Sequence, residues 1–159
     1  IVNKMNRGTD DSGTSIGAPT AFSIGCAVNP TAEDLDHELE HFRKKIDAGA
    51  QFVMTQPVYE LSCWENFLKR LGGMPPIPLM IGILPLQSFR HAEFLHNEVP
   101  GIHVPDWIRT RMHDAGNEGQ KVGVELARDL LAQCKSMANG VYLMPSFGRY
   151  ENCLEVLEK

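Results

Sequence analysis

The sequence has no long apolar run and no dense run of basic residues. No uninterrupted hydrophobic stretch reaches the roughly 18 residues that a membrane-spanning helix needs. Lys and Arg number 15 against 20 Asp and Glu, so the formal net charge is −5. This balance argues against a nucleic-acid-binding surface and against a site for an anionic membrane.

Cysteine is scarce, and its spacing fits no metal or disulfide pattern. The four cysteines are Cys26, Cys63, Cys134 and Cys153, without CxxC or Cys/His metal spacing. We therefore expect no metal and reduced thiols, as in a cytoplasmic protein. The N-terminus lacks the apolar segment of a signal peptide, so we expect none. The first residue is Ile and not Met, so we also expect a piece of a longer protein.

Several familiar catalytic patterns are missing as well. The chain contains no HExxH, no GxGxxG and no Ser-His-Asp order, so hydrolase and Rossmann interpretations have no support. Its 159 residues, 43% hydrophobic, are enough for one ordinary domain.

What the sequence does contain is a regular alternation of strands and helices. Apolar segments predict strands at residues 20–28, 52–55, 79–84 and 140–145, with helical stripes between and after them. Thr31 is the predicted N-cap of the first helix, whereas residues 1–18 read as a loop. Apolar strands that alternate with helices predict an α/β fold with a parallel sheet. Half of a (β/α)8 barrel and an open four-stranded sheet both fit this order.

In either architecture, ligands bind just beyond the carboxyl ends of the strands. The residues predicted there are amides, aromatics and an arginine, without a carboxylate: Asn29, Gln56, Tyr59, Gln87, Phe147, Arg149 and Tyr150. An amide pairs with a ring edge, an aromatic stacks on a ring and an arginine pairs with a carboxylate. This set suits a flat heteroaromatic ligand with a carboxylate tail.

Four stretches carry a resemblance to a known family. They are FSIGCAVNP, KKIDAGAQFVMTQPVY, GILPLQSFRHAEFLHNEVPGI and GVYLMPSFGRYE. Together they resemble the second half of methylenetetrahydrofolate reductase, and most of all the reductase domain of bacterial proteins that also carry a homocysteine S-methyltransferase domain. The resemblance implies a partial TIM barrel, with residues 1–159 as its C-terminal half and residues 19–159 as four β/α units for strands five to eight.

The resemblance also implies a function. The family reduces 5,10-methylenetetrahydrofolate to 5-methyltetrahydrofolate with NADH or NADPH and binds FAD non-covalently. The family's catalytic acid is expected upstream of this chain, so we expect no catalytic residue here and an isolated fragment that is inactive. We expect it to self-associate or to pair with the missing N-terminal half. A non-catalytic folate- or pterin-binding half-barrel, or an assembly module, is the alternative.

Residue by residue, the resemblance assigns two groups of contacts. Four positions match polar contacts of the flavin site: Asn29, Glu38, His41 and Lys45. Four others match contacts of the folate substrate: Gln56, His91, Phe94 and Arg149. Gln56 matches a glutamine that contacts the pterin and the nicotinamide. Asn29 replaces a tyrosine and His91 a glutamine, and the loop after Asn29 is shorter than in the single-domain enzymes.

Overall fold

The four predicted strands form one parallel sheet in the computed structural model, which describes residues 1–158. The strands are β1 (Gly25–Val28), β2 (Phe52–Pro57), β3 (Leu79–Ile83) and β4 (Gly140–Leu143). They lie in the sheet in chain order, and every neighbouring pair is parallel. The predicted α/β class is confirmed, and this strand order is the one that half of a (β/α)8 barrel requires. The predicted half-barrel extends to residue 159, which lies outside the described residues.

The helices connect the strands and follow the last one. They are α1 (Val2–Met5), α2 (Leu35–Asp47), α3 (Leu61–Leu71), α4 (Phe89–Glu98), α5 (Asp106–Asp114), α6 (Gly119–Cys134) and α7 (Tyr150–Leu157). In α2 the cap is Asp34, whose carboxylate accepts the His37 N–H at 2.9 Å, so the predicted cap Thr31 is wrong. Within residues 1–158, no helix is both long and apolar enough to span a bilayer.

Helices cover one face of the sheet only. Alternate strand residues, among them Val28, Val53, Leu79, Ile81 and Ile83, are buried in one cluster with side chains from α2, α3, α6 and α7. Trp64 and Phe67 of α3 stack there with ring centroids 5.4 Å apart. Burying such aromatic and aliphatic surface contributes roughly 1.5–3 kcal/mol per side chain. This cluster fixes the helix layer against the sheet.

The other face of the sheet, here called the open face, has no helix over it among the described residues. The side chains that alternate onto it are partly buried or exposed: Ala27, Phe52, Met54, Gln56, Met80 and Tyr142. In a complete barrel this face would line the interior.

The N-terminal segment departs from the sequence prediction. Residues 1–18 contain the helical turn α1, and residues 20–24 do not join β1. Asn6 binds both backbone groups of Phe22, at 2.9 Å to the N–H and 2.8 Å to the carbonyl. Because Asn6 satisfies these groups and β2 has no residue paired before Phe52, the predicted strand begins at Gly25 rather than at residue 20.

Candidate functional site

Gln56 lies at the carboxyl end of β2, one residue before the strand ends. Its neighbours Thr55 and Pro57 are buried, whereas Gln56 is exposed on the open face. Its side-chain amide makes no hydrogen bond to any residue from 1 to 158, so both its donor and its acceptor are free. The strand-end amide predicted from the sequence therefore lies at the carboxyl-terminal edge of the sheet and has its full hydrogen-bonding capacity.

Three of the four predicted flavin contacts meet at the end of β1. The Glu38 carboxylate accepts the Asn29 N–H at 2.9 Å, and the Lys45 ammonium donates to the Ala27 carbonyl at 2.8 Å. Lys45 Nζ lies 3.8 Å from Glu38 Oε1, and the two side chains are 38% and 21% exposed. The Asn29 amide keeps one free N–H, because Nδ2 donates once, to the Gly101 carbonyl at 2.8 Å, while Oδ1 accepts from the Thr31 N–H and hydroxyl.

His41, the fourth predicted flavin contact, stands apart from this group. It is exposed on α2, and its ring lies 4.1 Å from the ring of His37, one turn earlier. It makes no hydrogen bond to the residues at the end of β1. His41 therefore remains a sequence prediction.

His91 and Phe94 both lie on α4, which follows β3. His91 is buried, and its Nδ1 accepts the Gln87 N–H at 3.2 Å. That bond leaves Nε2 as the ring atom that carries the proton of the neutral imidazole. Burial lowers the pKa of His91, which favours this neutral form. Phe94 is 54% exposed, so its side chain lies at the surface instead of in the core.

Arg149 precedes α7 and forms hydrogen bonds with amides instead of carboxylates. Its Nη1 donates to Gln120 Oε1 at 2.6 Å and to Gln87 Oε1 at 3.4 Å. Since Gln87 also binds His91, these two predicted substrate contacts belong to one polar network. Arg149 has no ion pair in the part of the chain that the structure describes, so its charge remains available for an anionic group.

Three residues of this region, Thr55, Tyr142 and Asn152, were not predicted as part of the site, whereas Phe147 was among the predicted strand-end aromatics. Thr55 and Tyr142 bind the backbone around Gln56, and Asn152 bridges Gln87 and Gln120 at 2.9 and 2.8 Å. Phe147 is 78% exposed with a positive φ of 55°, and its ring lies 5.2 Å from that of His91. A polar residue inside an apolar strand was the one available signal for Thr55, and nothing local marks Tyr142 or Asn152.

A large groove elsewhere in the molecule does not contain these substrate residues. It has a volume of about 980 Å³ and lies between the loop after β1, α3 and the segment that follows α4. Asn29 is the one predicted site residue on its wall. The predicted substrate contacts lie instead at or after the carboxyl ends of β2, β3 and β4, where parallel sheets bind ligands. Among residues 1–158, no three His, Cys, Asp or Glu side chains come close enough to hold a metal ion.

Comparison with solved structures identifies a protein of the same fold. An uncharacterized protein from Clostridium thermocellum, described as binding two copies of 5-methyl-5,6,7,8-tetrahydrofolic acid, superposes with a TM-score of 0.57. The match covers 84% of this chain and 50% of that chain at 19% sequence identity. At this identity the likeness is one of fold.

Comparison with known sequences identifies the family. The probable methylenetetrahydrofolate reductase (NADPH) of Caenorhabditis elegans is 31% identical over 150 residues, which cover 86% of this chain and 22% of that protein. The 5,10-methylenetetrahydrofolate reductase of Salmonella typhimurium is 24% identical over 108 residues, covering 65% and 36%. The chain thus spans about a fifth to a third of these relatives. The family model described as methylenetetrahydrofolate reductase matches residues 17–157, and the chain belongs to the methylenetetrahydrofolate reductase family.

Proposed function

We propose that this chain is one half of an enzyme that reduces 5,10-methylenetetrahydrofolate to 5-methyltetrahydrofolate with NADH or NADPH. The observation that carries the proposal is the free amide of Gln56 at the end of β2. In the sheet, Gln56 lies between the predicted flavin contacts at the end of β1 and the predicted folate contacts after β3 and β4. Membership of the reductase family supports the reaction type.

The proposed folate contacts differ in their chemistry. The Gln56 amide donates and accepts at the edge of the pterin ring, and exposed Phe94 offers a face for stacking. Neutral His91 donates from Nε2 at neutral pH. Arg149, held by two glutamines and without an ion pair in the described residues, pairs with the carboxylate tail.

The residues at the end of β1 suit the polar parts of FAD. Lys45 provides a cation for the diphosphate, and Glu38 and Asn29 provide polar groups for the ribose. We assign His41 to the same group. FAD, when bound, supplies the hydride chemistry, and the chain's own residues bind and orient the ligands. The catalytic acid and the homocysteine S-methyltransferase domain remain predictions about sequence outside this chain.

The open face of the sheet supports a second part of the proposal. Phe52, Met54, Met80 and Tyr142 lie on it without cover from the described residues, and β1 and β4 are edge strands. We propose that a second four-stranded half, either the missing N-terminal half or a second copy, covers this face. The isolated chain is then inactive as a reductase. Size-exclusion chromatography is expected to show a dimer, and a stable monomer contradicts self-association.

A binding role without catalysis is the second candidate. The C. thermocellum protein of the same fold is described as a binder of methyltetrahydrofolate, not as a reductase. On this alternative, the half-barrel binds folate or pterin without flavin. Titration with FAD separates the two candidates. Flavin that binds the protein, detected by its absorbance, supports the reductase.

Calorimetric titration with 5-methyltetrahydrofolate tests the site directly. Gln56→Ala is expected to weaken binding about tenfold, because the ligand loses hydrogen bonds from a desolvated amide. Gln133→Ala is the matched control, since that glutamine is exposed on α6 and bonds only within its helix. Equal affinity of the two variants contradicts the proposed site. Joining the chain to an N-terminal half and following menadione-dependent NAD(P)H oxidation then tests the reductase activity.

A further inference from the structure

The ladder between β2 and β3 is irregular next to Gln56. Met54 pairs with Met80, and the next pair is Pro57 with Gly82. β2 therefore advances three residues where β3 advances two. Such a bulge leaves one residue without a regular partner and changes the direction of nearby side chains. On the β3 side, Thr55 and Gln56 stand opposite the single residue Ile81, so the proposed folate-contacting amide lies on the bulge.

The Thr55 hydroxyl replaces the missing ladder contact. It accepts the Gly82 N–H at 2.9 Å and donates to the Gln56 carbonyl at 2.7 Å. Thr55 is 1% exposed, so water does not compete for these bonds. The regular pattern resumes where the Val58 N–H donates to the Gly82 carbonyl at 3.0 Å. One side chain thus fixes the peptide group that follows Gln56.

The Tyr142 hydroxyl fixes the peptide group that precedes Gln56. It reaches from β4 across β3 and donates to the Thr55 carbonyl. Gly82 makes this reach possible, because a Cβ there would lie 2.8 Å from the Tyr142 hydroxyl and 2.9 Å from the Thr55 carbonyl. Partial burial raises the pKa of Tyr142, so the phenol keeps its proton at neutral pH and remains a donor.

We propose that Thr55 and Tyr142 are positioning residues that fix the direction of the Gln56 amide toward a bound folate ring. Their hydroxyls hold the two peptide planes on either side of the Gln56 Cα, and these planes set the Cα–Cβ direction. A side chain that is preorganised in its binding orientation loses less conformational entropy when it binds a ligand. This inference rests on the proposed role of Gln56 in folate binding.

A double-mutant cycle tests the coupling. Tyr142→Phe and Thr55→Val each remove one hydroxyl with little change of shape, and each is expected to weaken 5-methyltetrahydrofolate binding about fivefold. In a Gln56→Ala background neither change is expected to weaken binding further, because both act through Gln56. If the losses of binding free energy from Gln56→Ala and from either hydroxyl removal are additive in the double variants, the inference is overturned.

Nuclear magnetic resonance provides a readout that needs no ligand. In ¹⁵N-labelled full-length chain, the Gln56 backbone amide is expected to be rigid, with an order parameter near 0.85. Tyr142→Phe and Thr55→Val are expected to lower that value toward the flexible range. Unchanged order at Gln56 in both variants overturns the inference, even if folate binding is lost. If the unaltered chain binds no folate, the proposed function fails, while this measurement still decides the positioning role.

Two control variants separate positioning from general damage. Thr55→Ser keeps the hydroxyl and is expected to retain the rigidity of Gln56 and most of the affinity. Thr110→Val removes an exposed hydroxyl on α5 that makes no side-chain hydrogen bond to residues 1–158, and is expected to change neither measurement. If Thr55→Val does not fold, Tyr142→Phe carries the test alone. A loss in Thr55→Ser as large as that in Thr55→Val contradicts the role of the hydroxyl.

Discussion

The Lys45 ammonium donates a 2.8 Å hydrogen bond to the Ala27 carbonyl, which ties the last turn of α2 to the edge strand β1. Glu38 accepts the N–H of Asn29, the residue directly after β1. Side chains of one helix thus occupy backbone groups that an edge strand otherwise offers to another chain. We assign flavin binding to the same two side chains, Lys45 and Glu38.

Lys45→Met tests the flavin assignment. Loss of the cation is expected to weaken FAD binding about tenfold, measured by absorbance titration, because a charge-assisted bond to the diphosphate is lost. The free energy of unfolding is expected to change by less than about 1 kcal/mol, since the pair with Glu38 is partly exposed. Lys44→Met is the control, because the neighbouring lysine pairs with Glu40 on the exposed helix surface. Equal losses in both variants indicate a general charge effect and contradict the assignment.

Gly123→Ala tests how closely α6 approaches the segment after β3. A Cβ at residue 123 would lie 1.9 Å from the Leu86 carbonyl oxygen, a backbone atom that cannot rotate away. The variant is expected to lose about 3 kcal/mol or more of unfolding free energy in urea titrations, or not to fold. Gly140→Ala is the matched control, since its nearest neighbour is a Met80 side-chain atom at 3.8 Å. A fully stable Gly123→Ala protein would mean that the two segments lie further apart.

His91 predicts a pH dependence of stability. Burial lowers its pKa, so the unfolded chain takes up a proton near pH 6.5 and the folded protein only at lower pH. The neutral, buried imidazole therefore stabilises the fold above that range, and this contribution is lost as the pH falls. Urea unfolding at pH 7 and pH 5 is expected to show a larger loss for the natural chain than for His91→Gln. His37→Gln, at an exposed position, is expected to keep the natural slope, and a reduced slope in that control contradicts the assignment to His91.

Tyr59→Phe is expected to stabilise the fold. The Tyr59 hydroxyl is buried, and no group within residues 1–158 forms a hydrogen bond with it. Removing an unsatisfied hydroxyl is expected to raise the unfolding free energy by about 1 kcal/mol, measured by urea titration. A decrease of the same size in the unfolding free energy would instead show that a water molecule forms a hydrogen bond with the Tyr59 hydroxyl.

The sequence was most informative where structure depends on local patterns. Residues 52–55 and 79–84 are apolar and flanked by Gly or Pro, and the observed β2 and β3 differ from these predictions by one or two residues at their ends. The helical stripes predicted after these strands correspond to α3 and α4, because apolar spacing and capping residues, such as Ser88 before α4, are local features of the sequence.

The sequence was least informative where structure depends on distant partners. Residues 20–24 are apolar enough for a strand, yet Asn6, 16 residues before Phe22, binds their backbone. The contact between Tyr142 and Thr55 spans 87 residues and depends on a bulge that no local pattern marks. The family resemblance located Gln56, but it did not reveal what holds that residue in place.

Because the bulge after Met54 is held from two other strands, the short segment around Gln56 is not a transferable unit. A protein engineer who moved Thr55-Gln56-Pro57 to another barrel would also have to move a glycine on the next strand and a tyrosine on the strand after it. The exposed amide is thus encoded jointly by three strands, and a search for the tripeptide alone would retrieve proteins that lack this geometry.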